Sequence, residues 1–347
     1  MARSQETTFV RATFAEPRGR CWWRSGAFRA CSLRAFLWEE CPFLIFSRRA
    51  FRVRATLRIA PLVACALLSV ACEKPRASRV ASARDDFGDI VRTGVAPARI
   101  VSLNPATTEI LFALGAGSHL VGRSKYDLWP DSALLVPDLG PGLQPNVEVA
   151  LGTHPDLVIL YASQDNRPAA ARFRAAGVST LALRTDHISD FRRTVELLGE
   201  ILRDSARAKT VSDSVYRTLD RVRTATSVLP RPSVFWHIWD APLITIGAGS
   251  FMSELVDIAG GKNAYADISG PSATISLEDV AHRDPDFILA GPQGVQQIAA
   301  DRRWRIVRAV REKKVLTVDT GVVARPSVRL GEAAVSLANL LHPGVVR

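Results

Sequence analysis

The chain has 347 residues and a formal net charge of +11, and 47% of its side chains are hydrophobic, enough to fill the cores of two domains. Twelve arginines and four glutamates precede Cys72, so the first 71 residues carry +8 and leave only +3 for the rest, which excludes a nucleic-acid-binding body. All five cysteines lie in the first 72 residues, which also excludes a disulfide framework or a cysteine zinc site beyond them.

Residues 1–52 scatter Arg, Trp and Cys without a sustained period and are expected to be an over-extended N-terminus or a long n-region, with the working start near Val53. Legible patterning begins at Arg52. Three arginines precede the thirteen-residue run Ile59 to Ala71, too short to span a bilayer and matching the apolar core of a secretory signal. It closes on Leu68-Ser-Val-Ala-Cys72, which resembles a bacterial lipoprotein processing site, so residues 53–72 are read as a lipoprotein signal peptide with Cys72 lipidated. Cys65 fits the processing box better letter for letter, but only about six apolar residues precede it. The polar stretch 73–86 is expected to be a flexible tether.

From Phe87 the chain reads as alternating strands and helices. Arg99 to Leu103 is a buried strand, and Asn104-Pro-Ala-Thr-Thr-Glu109 a strand-to-helix corner, where α/β sheets place their ligands. The aromatic loop Ser124-Lys-Tyr-Asp-Leu-Trp-Pro130 follows a short strand. Asn146 to Leu160 then holds a short helix opened by Glu148, a Pro-Asp break and four apolar residues that predict a strand covered on both faces. Tyr161 opens another corner at a strand end.

The centre is helical. Apolar residues recur at helical spacing from Ile188 to about Thr226, predicting one helix to about Arg203 and a second from about Ser205, ~30 Å long. Beyond Pro230, Val234 to Trp239 opens a second lobe, and Ser276 to Ala290 repeats the pattern of residues 146–160, with Glu278 again seven positions before the proline. A second repeat pairs the helices after Ala106 and Phe251, with Glu109 and Glu254 expected in the first turns and glycines at the ends. Two similar α/β lobes with parallel-type sheets follow: residues 87–203 and 230–342, joined by one long rigid helix at 204–229.

Arg99 to Gly117, the two Glu-helix-Pro-Asp-strand repeats and Gly249 to Asn263 together resemble the periplasmic binding proteins of ABC importers for cobalamin, ferric siderophores and haem, over about Phe87 to Leu341. The resemblance implies a class III binding-protein fold, with the ligand held between two lobes that close little and no enzymatic activity. It gives Glu148 and Glu278 a docking role, one against each half of a permease dimer driven by its ATPase; the residues alone allow the plainer role of a helix-terminal carboxylate. For the ligand it points to Tyr126, Trp129 and Trp239 as aromatic platforms and Arg325 as a basic contact. Gly142 and Ser272 stand where cobalamin binders carry tryptophans, and Ala324 replaces an acidic neighbour of Arg325.

The function so implied is capture of a cobalamin-like corrinoid by a monomer lipid-anchored in the periplasm or cell envelope. The protein needs no cofactor, its ligand being cobalamin or another metal chelate. Ferric siderophore or haem binding is the alternative within the family, and a zinc or manganese receptor the alternative outside it. The six histidines are scattered without a paired ligand motif, and only His237 is placed to be watched. No Gly-x-Ser-x-Gly elbow or Walker loop supports an enzyme.

Overall fold

The computed structural model describes residues 81–93 and 95–346. The expectations for residues 1–52, the signal at 53–72 with Cys65 and Cys72, and the start of the tether lie outside the described residues.

The first described element corrects the tether. β1 (Ala81–Arg84) and β2 (Ile90–Thr93) form an antiparallel hairpin, and β1 falls inside the stretch 73–86. Charge explains its order. The buried Asp85 accepts from the amides of Phe87, Asp89 and Ala182 and pairs with Arg174 at 2.9 Å, while Asp86 takes both terminal nitrogens of Arg193 at 2.9 Å. Partners 89 to 107 residues away leave no periodic trace in the segment itself.

The N-terminal lobe is built on β3 (Ile100–Ser102), β4 (Leu120–Arg123), β5 (Leu157–Tyr161) and β6 (Ser179–Leu183), parallel throughout and ordered β4-β3-β5-β6. The apolar run Leu157 to Leu160 is fully buried, as a central strand covered on both faces requires. The lobe's helices are α1 (Pro105–Ala113), α2 (Val147–Leu151), α3 (Arg167–Ala175) and α4 (Ile188–Ile201). Asn104 caps α1 and Asn146 caps α2, each through a side-chain oxygen.

α5 (Ser205–Thr226) is the long central helix, about 33 Å by its rise per residue. Asp204 caps it by accepting from the Arg207 amide at 2.9 Å. Its buried Val215, Leu219 and Val222 join one apolar cluster with Ile110 and Leu198 on one side and Leu255 and Leu337 on the other. Tyr216 donates to the Ile188 carbonyl at 3.0 Å and Thr226 to the Ile258 carbonyl at 2.9 Å, so both lobes are bonded to the same helix.

The C-terminal lobe repeats the plan. β7 (Ser233–His237) is followed by β8 (Trp239–Asp240), β9 (Leu243–Ile246), β10 (Lys262–Asn263), β11 (Ser272–Thr274), β12 (Phe287–Ala290) and β13 (Val315–Thr317). Four of these form a parallel sheet ordered β10-β7-β12-β13, the same order as in the first lobe once β8, β9 and β11 are set aside. The parallel-sheet expectation lacked one addition: β11-β9-β8 is a separate antiparallel sheet. α6 (Phe251–Ile258), α7 (Leu277–Arg283), α8 (Pro292–Ala300), α9 (Arg308–Arg311), α10 (Thr320–Val323) and α11 (Leu330–Leu341) complete the lobe. Among the described residues no helix is long and apolar enough to cross a membrane.

Candidate ligand-binding site

Each parallel sheet ends in a cavity. In the N-terminal lobe a cavity of about 300 Å³ lies at the C-terminal ends of β3, β4 and β5, lined by Asn104, Ser124, Tyr126, Gly142, Leu143 and Tyr161 among others. In the C-terminal lobe one of about 430 Å³ lies beyond β7, β12 and β13, lined by His237, Trp239, Met252, Gln293, Thr320 and Ala324 among others. Ligands of open parallel sheets sit at such strand ends because the strand-to-helix loops there can diverge, and the volumes suit small-molecule sites.

The four residues expected at the ligand divide evenly. Tyr126 lines the first cavity and is 54% exposed, and Trp239 lines the second at 59%. Large aromatics left this open are available to stack on a ligand. Trp239 is steadied by its indole nitrogen, which donates to the Ala241 carbonyl at 3.1 Å.

Trp129 and Arg325 line neither cavity. The Arg329 guanidinium lies 5.2 Å from the centre of the Trp129 ring. Arg325 donates through Nη1 to Glu109 Oε1 at 3.0 Å, and the Ser327 hydroxyl donates to the other oxygen of the same carboxylate. Both residues therefore link the lobes, a use that sequence spacing could not reveal. Glu109 itself is the fifth residue of α1 rather than a first-turn residue, and it is wholly buried. Burial pushes its carboxyl above the usual range despite the bonds from Ser327 and Arg325 that pull it down.

Of the two positions where cobalamin binders carry tryptophans, Gly142 lines the first cavity and Ser272 lines neither. A β-carbon on Gly142 would stand 2.2 Å from the Leu103 carbonyl oxygen, so the first cavity closes against backbone where a side chain would project. Ser272 lies exposed on β11, outside the lining of the second cavity. His237 is a core residue: its side chain is buried and Nε2 lies 2.8 Å from Asp240 Oδ1. Among the described residues no group of three or more His, Cys, Asp or Glu side chains could hold a metal ion.

Tyr161 was visible in the sequence only as the start of a corner. Its hydroxyl donates to Asp186 Oδ1 at 2.6 Å, and burial together with that carboxylate holds its ionisation well above the ordinary phenol value. The phenol thus stays neutral at physiological pH. Gln293 and Gln297 of the second cavity carried no motif; only the fold brings them together with Met252.

The carboxylates expected at the permease are both exposed and sit on matching helices, α2 and α7. Glu148 pairs with Arg172 at 2.7 Å. Glu278 lies in the first turn, two residues after the Ser276 cap, and bonds to its own amide and to Ser276 hold its carboxyl below the usual value.

A family model described as "Periplasmic binding protein" matches residues 100–320, and the chain belongs to that family. A lipoprotein of Bacillus subtilis (strain 168), described as the uncharacterized ABC transporter substrate-binding lipoprotein YvrC, is 30% identical over 256 residues, covering 71% of this chain and 81% of that one. The solved periplasmic vitamin B12-binding protein of Vibrio cholerae superposes with a TM-score of 0.64 at 25% identity, covering 71% of this chain and 97% of that one. The haem-binding protein RhuT of Roseiflexus sp. RS-1 gives a TM-score of 0.65 at 23% identity over 72% and 99% of the two chains, which speaks to the fold alone. The molecule is accordingly a class III periplasmic binding protein, a non-enzymatic, substrate-binding component of ABC transport that binds a small molecule and works with a permease.

Proposed function

We propose that this protein captures a cobalamin-like corrinoid between its lobes and delivers it to an ABC permease dimer powered by its ATPase, held at the membrane by a lipid on Cys72. The observation that carries the reading is one half-exposed aromatic in each cavity, Tyr126 and Trp239, at the C-terminal ends of two sheets with the same strand order. A flat macrocycle with a metal at its centre offers two faces to such platforms. Glu148 and Glu278 dock to the permease in this reading, one from each lobe, because carboxylates on two rigid bodies can orient a two-fold partner through arginine bonds.

A ferric siderophore or haem is the second reading, favoured by the backbone contact at Gly142 that leaves no room for a further aromatic wall. Against iron coordination by Tyr161 stands its bond to Asp186, which keeps the phenol protonated.

The test is a cobalamin titration of protein beginning just after Cys72, followed by tryptophan quenching and calorimetry, with haem and a ferric siderophore as comparators. Saturable one-to-one cobalamin binding, weakened by Trp239→Ala and Tyr126→Ala, is expected. Tight binding of a comparator in its place would retain the importer and reject the corrinoid.

A further inference from the structure

Thr108 and Glu109 are consecutive residues of α1, and each is bonded to a different wall of the cleft. The Thr108 hydroxyl donates to Asp127 Oδ2, and Asp127 in turn accepts from the hydroxyl and amide of Ser124, closing the loop that carries Tyr126. Glu109 accepts from Arg325 and Ser327, in the segment directly after Val323 and Ala324, which line the opposite cavity. Thr108, Glu109, Ser124, Asp127 and Ser327 are all fully buried. Buried bonds to ionised groups are geometrically demanding and expensive to leave unmade.

We infer that Thr108 and Glu109 are positioning residues for the ligand site: one helical turn fixes the spacing between the Tyr126 loop of the first lobe and the Ala324 segment of the second. The inference rests on the proposed function only in taking those two walls to face the ligand. Neither residue needs to touch the ligand; each holds a loop that does. The arrangement also accounts for Arg325 and Trp129 being absent from the cavity linings, since Arg325 fastens the second wall and Trp129, under Arg329, fastens the first.

Hydrogen–deuterium exchange on the full chain, without ligand, separates positioning from general stability. Glu109→Ala should speed amide exchange in peptides covering 324–330 about tenfold while leaving 124–130 near wild type, and Thr108→Val should do the reverse, since loss of a bond to a charged group is worth about that factor. Glu109→Gln, which keeps a partner for Ser327, should fall between wild type and Glu109→Ala. Acceleration in the named segment no larger than the change that the loss of global stability imposes on peptides remote from the cleft, or none in either segment, would overturn the inference.

Cyanocobalamin, haem and a ferric siderophore then serve as probes. Each variant should weaken roughly tenfold whichever probe the wild type binds, with Tyr126 and Trp239 intact. Unchanged affinity in spite of the segment-specific exchange would overturn the positioning role. If the wild type binds none of the three, the proposed function fails while the exchange pattern still decides the bracket.

Discussion

α1 and α6 occupy corresponding places in the two lobes, each between the first and second strands of its parallel sheet and each carrying a glutamate that crosses to the other lobe. Glu109 of α1 meets Arg325 and Ser327. Glu254 of α6 lies 2.7 Å from His187 Nδ1 and accepts from the Ile188 amide at 3.3 Å. The two ties differ in solvent: Glu109 is inaccessible, whereas the Glu254 and His187 side chains are 36% and 48% exposed. A duplicated motif has thus yielded one buried tie and one wet tie between the lobes, because the partner segments differ. The first is covered by the turn into α11, the second by the short turn into α4.

Breaking the buried tie should have the largest effect. Glu109→Ala strands Arg325, whose side chain is 19% exposed, and is expected to cost about 3 kcal/mol in denaturant unfolding, toward the lower end for a broken buried pair because the guanidinium keeps some water. A loss below about 1 kcal/mol would place it with surface pairs. Next comes a contrast of the cavities. Gly142→Ala drives a β-carbon against a backbone oxygen and is expected to cost about 2 kcal/mol, while Gly294→Ala meets the ring of the buried His237 at 2.7 Å but replaces a glycine inside α8, where alanine favours the helix by about 1 kcal/mol, and should cost less. Equal losses in thermal unfolding would mean that the first cavity is as compliant as the second.

The pH profile sharpens the same contrast between ties. Glu109 faces Arg325 and Arg329 from the second lobe, and Asp127 beside it faces Arg325; burial raises both carboxyls in the folded state. A folded chain that holds these protons more tightly than the unfolded one gains stability as pH falls toward the ordinary carboxylate range and loses it as pH rises through the raised values. Glu109→Gln should flatten that slope in unfolding midpoints taken across the window, and Glu254→Gln should leave it in place. A slope unchanged by Glu109→Gln would assign it to Asp127.

Much of this architecture was legible because it is periodic. The Pro-Asp breaks before Leu157 and Phe287, the apolar runs after them and the stripe of Val215, Leu219 and Val222 all record burial in their own spacing. Tyr126 and Trp239, which line the two cavities, were named only through the family resemblance, since an aromatic in a loop or at a strand end reads equally as a packing anchor. What escaped depends on partners distant in sequence. Arg325 bonds a glutamate 216 residues away, and the hairpin at 81–93 is fastened by Arg174 and Arg193. Hydrophobic periodicity does not encode a pairing between charges on different lobes, so a cationic residue in a cleft loop reads the same whether it waits for a ligand or is already engaged.

The exposed tie should yield far less than the buried one. Glu254→Ala removes bonds to the His187 ring and the Ile188 amide that compete with water and is expected to cost about 0.5 kcal/mol. The double variant with Glu109→Ala should be additive if the two ties act independently. A clear excess loss in the double variant would mean that the lobes are held by the two ties jointly.

The smallest effect is expected where the lobes differ most at the surface that the permease would meet. Glu148 is already paired with Arg172 at 2.7 Å, with side chains 74% and 60% exposed, whereas Glu278 is ordered by its own helix terminus and Ser276 and feels the charge of Arg303 without a direct bond to it. A permease arginine must compete with Arg172 on the first lobe but not on the second. Arg172→Ala should therefore strengthen docking to the reconstituted permease about threefold, within the worth of an exposed pair, with ligand affinity unchanged. Glu148→Ala and Glu278→Ala should both weaken docking, Glu278→Ala by more, because its carboxylate is the less occupied. Weaker docking in Arg172→Ala would make the arginine itself part of the contact surface and Glu148 its support.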